Sequence, residues 1–484
     1  MKSQLLFFLK NLDKKEQKRF FEYVKSPFFN KNKKLLRLIS FYQDFAPTFT
    51  SQNLNAIQAF NAVYHEIPFD ELKLNNLNSD LLQLLYDFLA YQEYESTPTQ
   101  KTYYTGKALL KRDLSSKMKS TFKRYDRLQQ QNNHQNSIAL LANIQYHQLR
   151  DEWTISDGKR GYSESLVKIK EQLDQYYLIK QLEIACDMVS RNAAIQANYN
   201  TTFIDKLIVQ LESKNSNWDN SPAIVIYYTT LKVLTGKDPE KNYFKLKELL
   251  KKHPKIFPKE ELRLLYNFAL NFCIKQINSG YGNYYEEVLT LYKALLSHRI
   301  IYKNGYLSQW TFTNICTAGV RLKQYDWTQQ FIEQYQADLL PNSRMNVVNY
   351  NIAALYYAQK NWDQALQLLQ TVIFSDAYYQ TAAKTIQLKI YYESDESETF
   401  RSLIDSFAKF ILRNKQLSGY QKKSNKNFIS LTNKLFKLRE DRFRISTPAF
   451  QEKVNQLLNK VKEAHPISNK NWILQQGAVL KTKR

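Results

Sequence analysis

The chain has 484 residues, 43% of them hydrophobic, with only 10 glycines and 11 prolines. Because glycine and proline punctuate β-turns and break helices, their scarcity excludes a sandwich, a barrel or a doubly wound sheet and favours long helices. The net charge of +24 is unevenly placed: segments 1–50, 101–130 and 401–484 carry 11, 9 and 19 basic residues against 4, 2 and 5 acidic ones.

No pattern in the sequence indicates catalysis or a bound cofactor. Cys186, Cys273 and Cys316 lie far apart without a CxxC pair, which predicts free, buried thiols rather than a metal site or a disulfide. No two of the six histidines have the i, i+4 spacing of a metal-binding helix, and no phosphate-binding loop is complete. We therefore expect a protein that is not an enzyme and holds neither cofactor nor metal.

The sequence also predicts a cytoplasmic protein that does not enter a membrane. Its longest early apolar run, residues 5–9, is followed by charged residues and lacks a small-residue cleavage site, unlike a signal peptide. No stretch approaches the roughly 18 apolar residues that a membrane helix needs.

The first predicted elements are two basic helices joined by a short segment. Asp13 and Glu16 have the spacing of a capping box, which predicts a helix start, and Ser26-Pro27 ends that helix. A second helix is expected from about Lys33 to Phe45. The connection is too long and too apolar for a DNA-binding helix-turn-helix, so a packed helical hairpin is predicted.

Further helices complete a predicted N-terminal basic helical domain, residues 1–155. A long acidic helix is expected over 72–91 and a basic helical stretch over 101–131. The segment 156–164 holds two of the ten glycines and is predicted as a hinge. From about residue 162, apolar helical runs alternate with short breaks up to residue 445, the pattern of stacked antiparallel helical hairpins. Residues 446–484 are expected to form a capping helix and a tail.

An internal repeat is clearest in residues 308–412. Similar stretches begin at Asn314 and at Asn351, 37 residues apart, and a weaker copy near Ile386 follows about 34 residues later. Spacings of this size are typical of helical arrays. The central copy carries one continuous apolar stripe, which consists of Trp362, Ala365, Leu366, Leu369, Val372 and Ile373. Since one hairpin cannot bury both faces of such helices, its neighbours are expected to stack on it.

The central copy resembles the tetratricopeptide repeat. Ala353 stands at the small-residue position of the first helix, Tyr356 three residues on, and Ala365 at the alanine of the second helix. Lys360 replaces the glycine that the family uses in the turn, and Thr328 and Thr399 replace the alanine in the flanking copies. The opening LDKKEQKRFFEYVKSPFFNKNKKLLRL and the segment NGYLSQWTF at 304–312 also resemble a group of large bacterial helical-repeat proteins, which adds architecture only.

The resemblance implies a right-handed α-solenoid whose first helices line a concave, protein-binding groove. The groove residues carried over in this way are Trp310, Thr313, Arg321, Tyr350, Tyr357, Lys384, Tyr391 and Tyr392. Tyrosine and tryptophan there suit binding hot spots, with packing between units as the alternative role. The function expected from the resemblance is a non-enzymatic scaffold that binds a protein or peptide partner.

The alternative function is association with nucleic acid through the basic segments 1–50, 101–130 and 401–484. In the last segment, helical spacing places several lysines opposite the apolar residues of one helix. These lysines are Lys422, Lys423, Lys426, Lys434 and Lys437. They form either a solvated outer face that caps the stack or an electrostatic contact surface.

Overall fold

The computed structural model describes residues 3–65, 67–131, 134–158, 161–195, 197–213, 217–236, 238–371 and 377–482. Over these ranges the chain forms 23 α-helices and no β-strand, which confirms the predicted all-α class. Two isolated bridges, between Lys303 and Tyr306 and between Leu307 and Leu339, are the β-type pairings found there. None of the helices described is long and apolar enough to cross a membrane.

The first eleven helices are α1 Gln4–Asn11, α2 Lys14–Lys25, α3 Lys33–Gln43, α4 Ala56–Asn61, α5 Glu71–Ser96, α6 Pro98–Leu110, α7 Met118–Gln131, α8 Ser137–Ser156, α9 Glu164–Ile195, α10 Phe203–Glu212 and α11 Pro222–Thr235. The next twelve are α12 Pro239–Lys252, α13 Lys259–Asn278, α14 Tyr284–Ser297, α15 Gln309–Arg321, α16 Tyr325–Tyr335, α17 Pro341–Ala358, α18 Trp362–Thr371, α19 Ala377–Glu393, α20 Ser397–Arg413, α21 Gly419–Glu440, α22 Thr447–Glu463 and α23 Lys470–Thr482.

The chain divides into two compact units. The first contains residues 1–187, 200–227 and 255–257, and the second contains 188–199, 228–254 and 258–484. The predicted hinge at 156–164 lies within the first of these units, between the end of α8 and the start of α9, and its residues 159–160 lie outside the described ranges.

The N-terminal helices of the first unit form as the sequence predicts. The Asp13 carboxylate accepts hydrogen bonds from the backbone N–H groups of Lys15 and Glu16, and the Glu16 carboxylate accepts one from the Asp13 N–H, which confirms the capping box. Helix α5 packs on α1, α2, α3 and α4. The core between them contains fully buried Phe20, Tyr42 and Leu81.

In the second unit, each helix from α12 to α22 packs on the helix that follows it in the chain. Helix α17 also packs on α15 and α19, its neighbours two helices away. Ala365 and Leu369 of the predicted stripe are buried between α17, α18 and α19. Val372 and Ile373 lie outside the described residues.

The turn between the paired helices recurs with the same backbone geometry. Lys323, Lys360 and Asp395 have φ angles of 58°, 65° and 66°, in the left-handed region. One residue after each, the backbone N–H donates to the carbonyl five residues earlier, at 2.9, 2.9 and 3.0 Å. This pattern is the Schellman motif that closes a helix. Lys360 therefore adopts the turn that tetratricopeptide repeats make with glycine.

The residues predicted as a C-terminal tail instead form a packed helix. Helix α23 contacts α21 and α22, and its Trp472 and Ile473 are 9% and 0% exposed. Its Leu480 also joins the core of the last helices. Three buried apolar side chains in 13 residues give the segment enough burial to remain attached.

Replacement of Lys360 by glycine should stabilise the second unit. A left-handed φ strains an L-residue but not glycine, so we expect Lys360→Gly to raise the free energy of unfolding by about 1 kcal/mol. Denaturant unfolding measures the change. As a control, Gln359→Gly, one residue earlier at φ −81°, should destabilise by about the same amount. Destabilisation by both variants would contradict the explanation.

Gly319 packs against Thr328, which stands at the position where tetratricopeptide repeats have alanine. Thr328 is fully buried, and its hydroxyl donates to the Gln324 carbonyl at 2.7 Å. A Cβ at Gly319 would lie 2.2 Å from the Thr328 Oγ1. A glycine on the facing helix therefore makes room for the threonine that replaces this alanine.

Gly319→Ala should destabilise the chain by about 2 kcal/mol because the new methyl overlaps the threonine hydroxyl. Thr328→Ala removes that oxygen, so the double variant Gly319→Ala/Thr328→Ala should recover at least half of the loss. Denaturant unfolding of both single variants and the double variant gives the coupling. Strictly additive losses would show that the two residues do not oppose each other.

Candidate functional site on the first helices

The candidate site lies on the first helix of each repeated pair, α15, α17 and α19. The contacts of α17 with both α15 and α19 bring these three helices side by side. We call their shared surface the first-helix face. It carries the residues that the resemblance to tetratricopeptide repeats predicts for a groove.

The repeated turn fixes which residues occupy matching positions. Lys360 and Asp395 are 35 residues apart, one more than the spacing used to predict the third unit. A spacing of 34 residues would pair Ala354 and Tyr357 with Leu388 and Tyr391 of α19. The observed spacing of 35 residues pairs them with Lys389 and Tyr392 instead.

The burial of side chains in α19 and α20 agrees with a spacing of 35 rather than 34 residues. Leu388 is fully buried. Phe400, also fully buried, takes the place of Ala365, whereas Thr399, predicted for that place, is exposed. By the same shift, Thr385 replaces Lys384 as the partner of Tyr350.

The structure separates the eight predicted groove residues into three groups. Trp310 and Arg321 are exposed. Four are half-buried: Tyr350, Tyr357, Lys384 and Tyr391. Thr313 and Tyr392 are each only 3% exposed, so their prediction as accessible groove residues is wrong.

An aromatic cluster joins α15, α17 and α19. The Trp310 ring stacks on Tyr379 with centroids 5.8 Å apart and an interplanar angle of 12°, and Tyr378 meets Trp310 edge-on at 4.7 Å. Tyr350 packs edge-on against Tyr379 at 5.2 Å. Trp310 and Tyr378 remain 42% and 39% exposed, so two rings of this cluster face solvent on a fixed support.

Thr313 is buried because it belongs to a polar link between the three helices. Its hydroxyl lies 3.1 Å from the Tyr379 hydroxyl. The Asn351 side-chain amide donates to the Thr313 hydroxyl at 3.1 Å and to the Val347 carbonyl at 2.7 Å. Buried polar groups need such partners, so this network fixes how α15, α17 and α19 align.

Tyr392 is buried because the C-terminal helices cover it. The Arg439 guanidinium of α21 lies 4.4 Å from the Tyr392 ring centroid, and Trp472 of α23 packs edge-on against that ring at 5.3 Å. No pattern in the sequence indicates this contact, since the residues of α23 were expected to form a tail. The exposed part of the first-helix face is therefore shorter than predicted.

A buried lysine that sequence analysis missed lies beside Tyr392. Lys389 is 8% exposed, and its ammonium donates to the Asn469 side-chain carbonyl at 2.6 Å. The ring centroids of Tyr357 and Trp472 lie 5.9 and 5.7 Å from its nitrogen. The 35-residue spacing from Ala354 is the signal that would have found it.

The Glu393 carboxylate shares two neighbours with this lysine, Tyr357 and Trp472. Its Oε1 accepts hydrogen bonds of 2.7 Å from both the Tyr357 hydroxyl and the Trp472 indole. Burial, and to a smaller extent the charge of Arg321, lower the pKa of Lys389 to about 7 against an opposing effect of Glu393. The cluster can therefore exchange a proton near neutral pH.

The predicted basic surface on α21 is largely exposed. Lys423, Lys426, Lys434 and Lys437 are exposed, whereas Lys422 is half-buried, with its ammonium 3.4 Å from the Leu412 carbonyl. The three cysteines are free and buried, as predicted. Within the described ranges, no group of three potential ligands could hold a metal ion.

Comparison of the chain with protein-family models, with curated proteins and with solved structures found no match.

Lys389 should make the stability of the second unit depend on pH. Its pKa falls from an ordinary 10.5 to about 7 on folding. Between these values the unfolded chain binds more protons, so stability rises with pH in this window and is lost as pH falls towards 7.

From pH 7 to pH 9 the wild type should gain about 2 kcal/mol relative to Lys389→Met, measured by urea unfolding. Lys409→Met, an exposed lysine on α20, should follow the wild type. A constant difference between the wild type and Lys389→Met across the window would show that this lysine does not change its protonation on folding.

Proposed function

We propose that this chain is a non-enzymatic, cytoplasmic scaffold that binds a protein segment on its first-helix face. In this proposal residues 308–412 form tetratricopeptide-like hairpins within a right-handed α-solenoid. The recurring turns at Lys323, Lys360 and Asp395 support the repeat. The packing of each helix on the next supports a serial stack. The proposal assigns no reaction, cofactor, metal or membrane contact to the chain.

The observation that carries the proposal is the exposed pair Trp310 and Tyr378. Large aromatic rings at binding surfaces contribute much of the affinity for a partner, because they bury a large area with little loss of conformational freedom. The Tyr379 ring packs against both of them, with its centroid 5.8 Å from that of Trp310 and 5.4 Å from that of Tyr378. A pre-arranged pair of this kind loses little entropy on binding.

Arg321 gives the same face an exposed positive charge at the end of α15. It lies close enough to Lys389 to lower the pKa of that lysine. Trp310 and Arg321 stand near opposite ends of α15, about 16 Å apart at 1.5 Å per residue. A partner segment with an aromatic or aliphatic anchor and a carboxylate at about that distance from it would satisfy both the rings and the guanidinium. Tyr350 and Tyr357 are half-buried and hold this surface in place.

Truncation of the two exposed rings tests the proposal. Quantitative affinity purification from the native cell, with and without crosslinking, should recover a partner with the wild type. The variant Trp310→Ala/Tyr378→Ala should reduce that recovery at least tenfold, as the loss of two hot-spot rings predicts. Its helical content by circular dichroism should match the wild type, since both rings are partly in solvent.

The matched control removes two aromatic rings of similar exposure elsewhere in the second unit. Phe244 and Tyr281 are 43% and 58% exposed. The variant Phe244→Ala/Tyr281→Ala should keep the partner. An unchanged set of partners with Trp310→Ala/Tyr378→Ala, or an equal loss with the control, would refute binding through this face.

A further inference from the structure

Helix α21 carries a row of lysines opposite its buried side. The lysine row consists of Lys423, Lys426, Lys434 and Lys437, all exposed. Phe428 and Leu435 on the other side are fully buried. At 100° per residue the four lysines fall within a band of about 80°. At 1.5 Å per residue the row is about 21 Å long.

Among the described residues, no carboxylate pairs with the charges of the lysine row. The ion pairs described in residues 401–482 use Arg401, Arg439 and Arg444. In the described chain, no carboxylate oxygen lies within 4.0 Å of a nitrogen of the row. Four unpaired ammonium groups along one line produce a positive potential that attracts a linear polyanion.

Exposed aromatic side chains lie at both ends of this helix. Tyr420, in its first turn, is 65% exposed, and Phe443, just after its last residue, is 75% exposed. The Arg442 guanidinium lies 4.3 Å from the Phe443 ring centroid. Basic grooves with aromatic rings are how proteins bind single strands, because every unpaired base offers a flat face for stacking.

Two other polyanions fit these observations less well. A duplex hides the faces of its bases, so Tyr420 and Phe443 would have nothing on which to stack. An anionic membrane binds helices that insert an apolar face. The apolar face of α21 is buried against α20, α22 and α23 instead.

We propose that α21 binds a single-stranded nucleic acid. The lysine row contacts phosphates along the strand, and Tyr420 and Phe443 stack on bases at either end. At a rise of about 3.4 Å per stacked nucleotide, the row matches about six nucleotides. This surface is separate from the first-helix face, so either function can hold without the other.

Fluorescence anisotropy with a labelled, mixed-sequence single-stranded 20-mer and the full chain tests the proposal. The variant with all four lysines of the row replaced by glutamine should bind at least tenfold more weakly at 50 mM salt. Each phosphate contact contributes about 0.7 to the slope of log K against log salt, so that slope should fall by about 3.

Tyr420→Ala/Phe443→Ala should weaken binding of the single strand at least fivefold with little change in the salt slope, since stacking is not ionic. The same variant should bind a duplex of that sequence as the wild type does. Circular dichroism should show that both variants keep their helical content, because all the substituted side chains are exposed.

The matched control replaces four exposed lysines of α12, Lys241, Lys245, Lys251 and Lys252, by glutamine. This change in net charge is identical, and the loss of affinity should stay below threefold. An equal loss with this control would overturn the proposal, as would absence of oligonucleotide binding by the wild type. Binding to phosphatidylserine vesicles without binding to the 20-mer would overturn it too.

Discussion

The second unit depends on the burial of helices that are apolar on more than one side. Helix α17 illustrates the constraint, since it contacts α15, α16, α18 and α19. Val347, Ala353 and Leu355, along its length, are at most 1% exposed. One hairpin could not remove all of this apolar surface from water, so each pair of helices needs a neighbour on both sides. The aromatic cluster and the Asn351 network form where these neighbours meet.

The sequence predicted the helices well because their signals are local. The capping box at Asp13 and the apolar stripe from Trp362 each depend on residues within a few turns of one another. The left-handed turn at Lys360 formed in spite of its missing glycine, because the backbone hydrogen bonds of the motif offset the strain of one residue.

The candidate site was predicted only in part because it depends on contacts between distant residues. The third pair of helices, α19 and α20, follows the second after 35 residues rather than 34, so a spacing of 34 matches Ala354 to Leu388 instead of Lys389. The turn at Asp395 is what establishes the spacing of 35. Thr313 was expected to be accessible, but its partner Tyr379 lies 66 residues later. Such a partner leaves no periodic signal in the sequence.

The contact between Lys389 and Asn469 joins residues 80 positions apart, and this separation has a consequence for biosynthesis. At about 5 to 20 residues per second, Lys389 leaves the ribosome roughly 4 to 16 seconds before Asn469 and Trp472, the second of which packs against Tyr392. During that interval the apolar side of α19 is open to water and to other nascent chains. The third pair of helices therefore reaches its final packing only when α23 arrives.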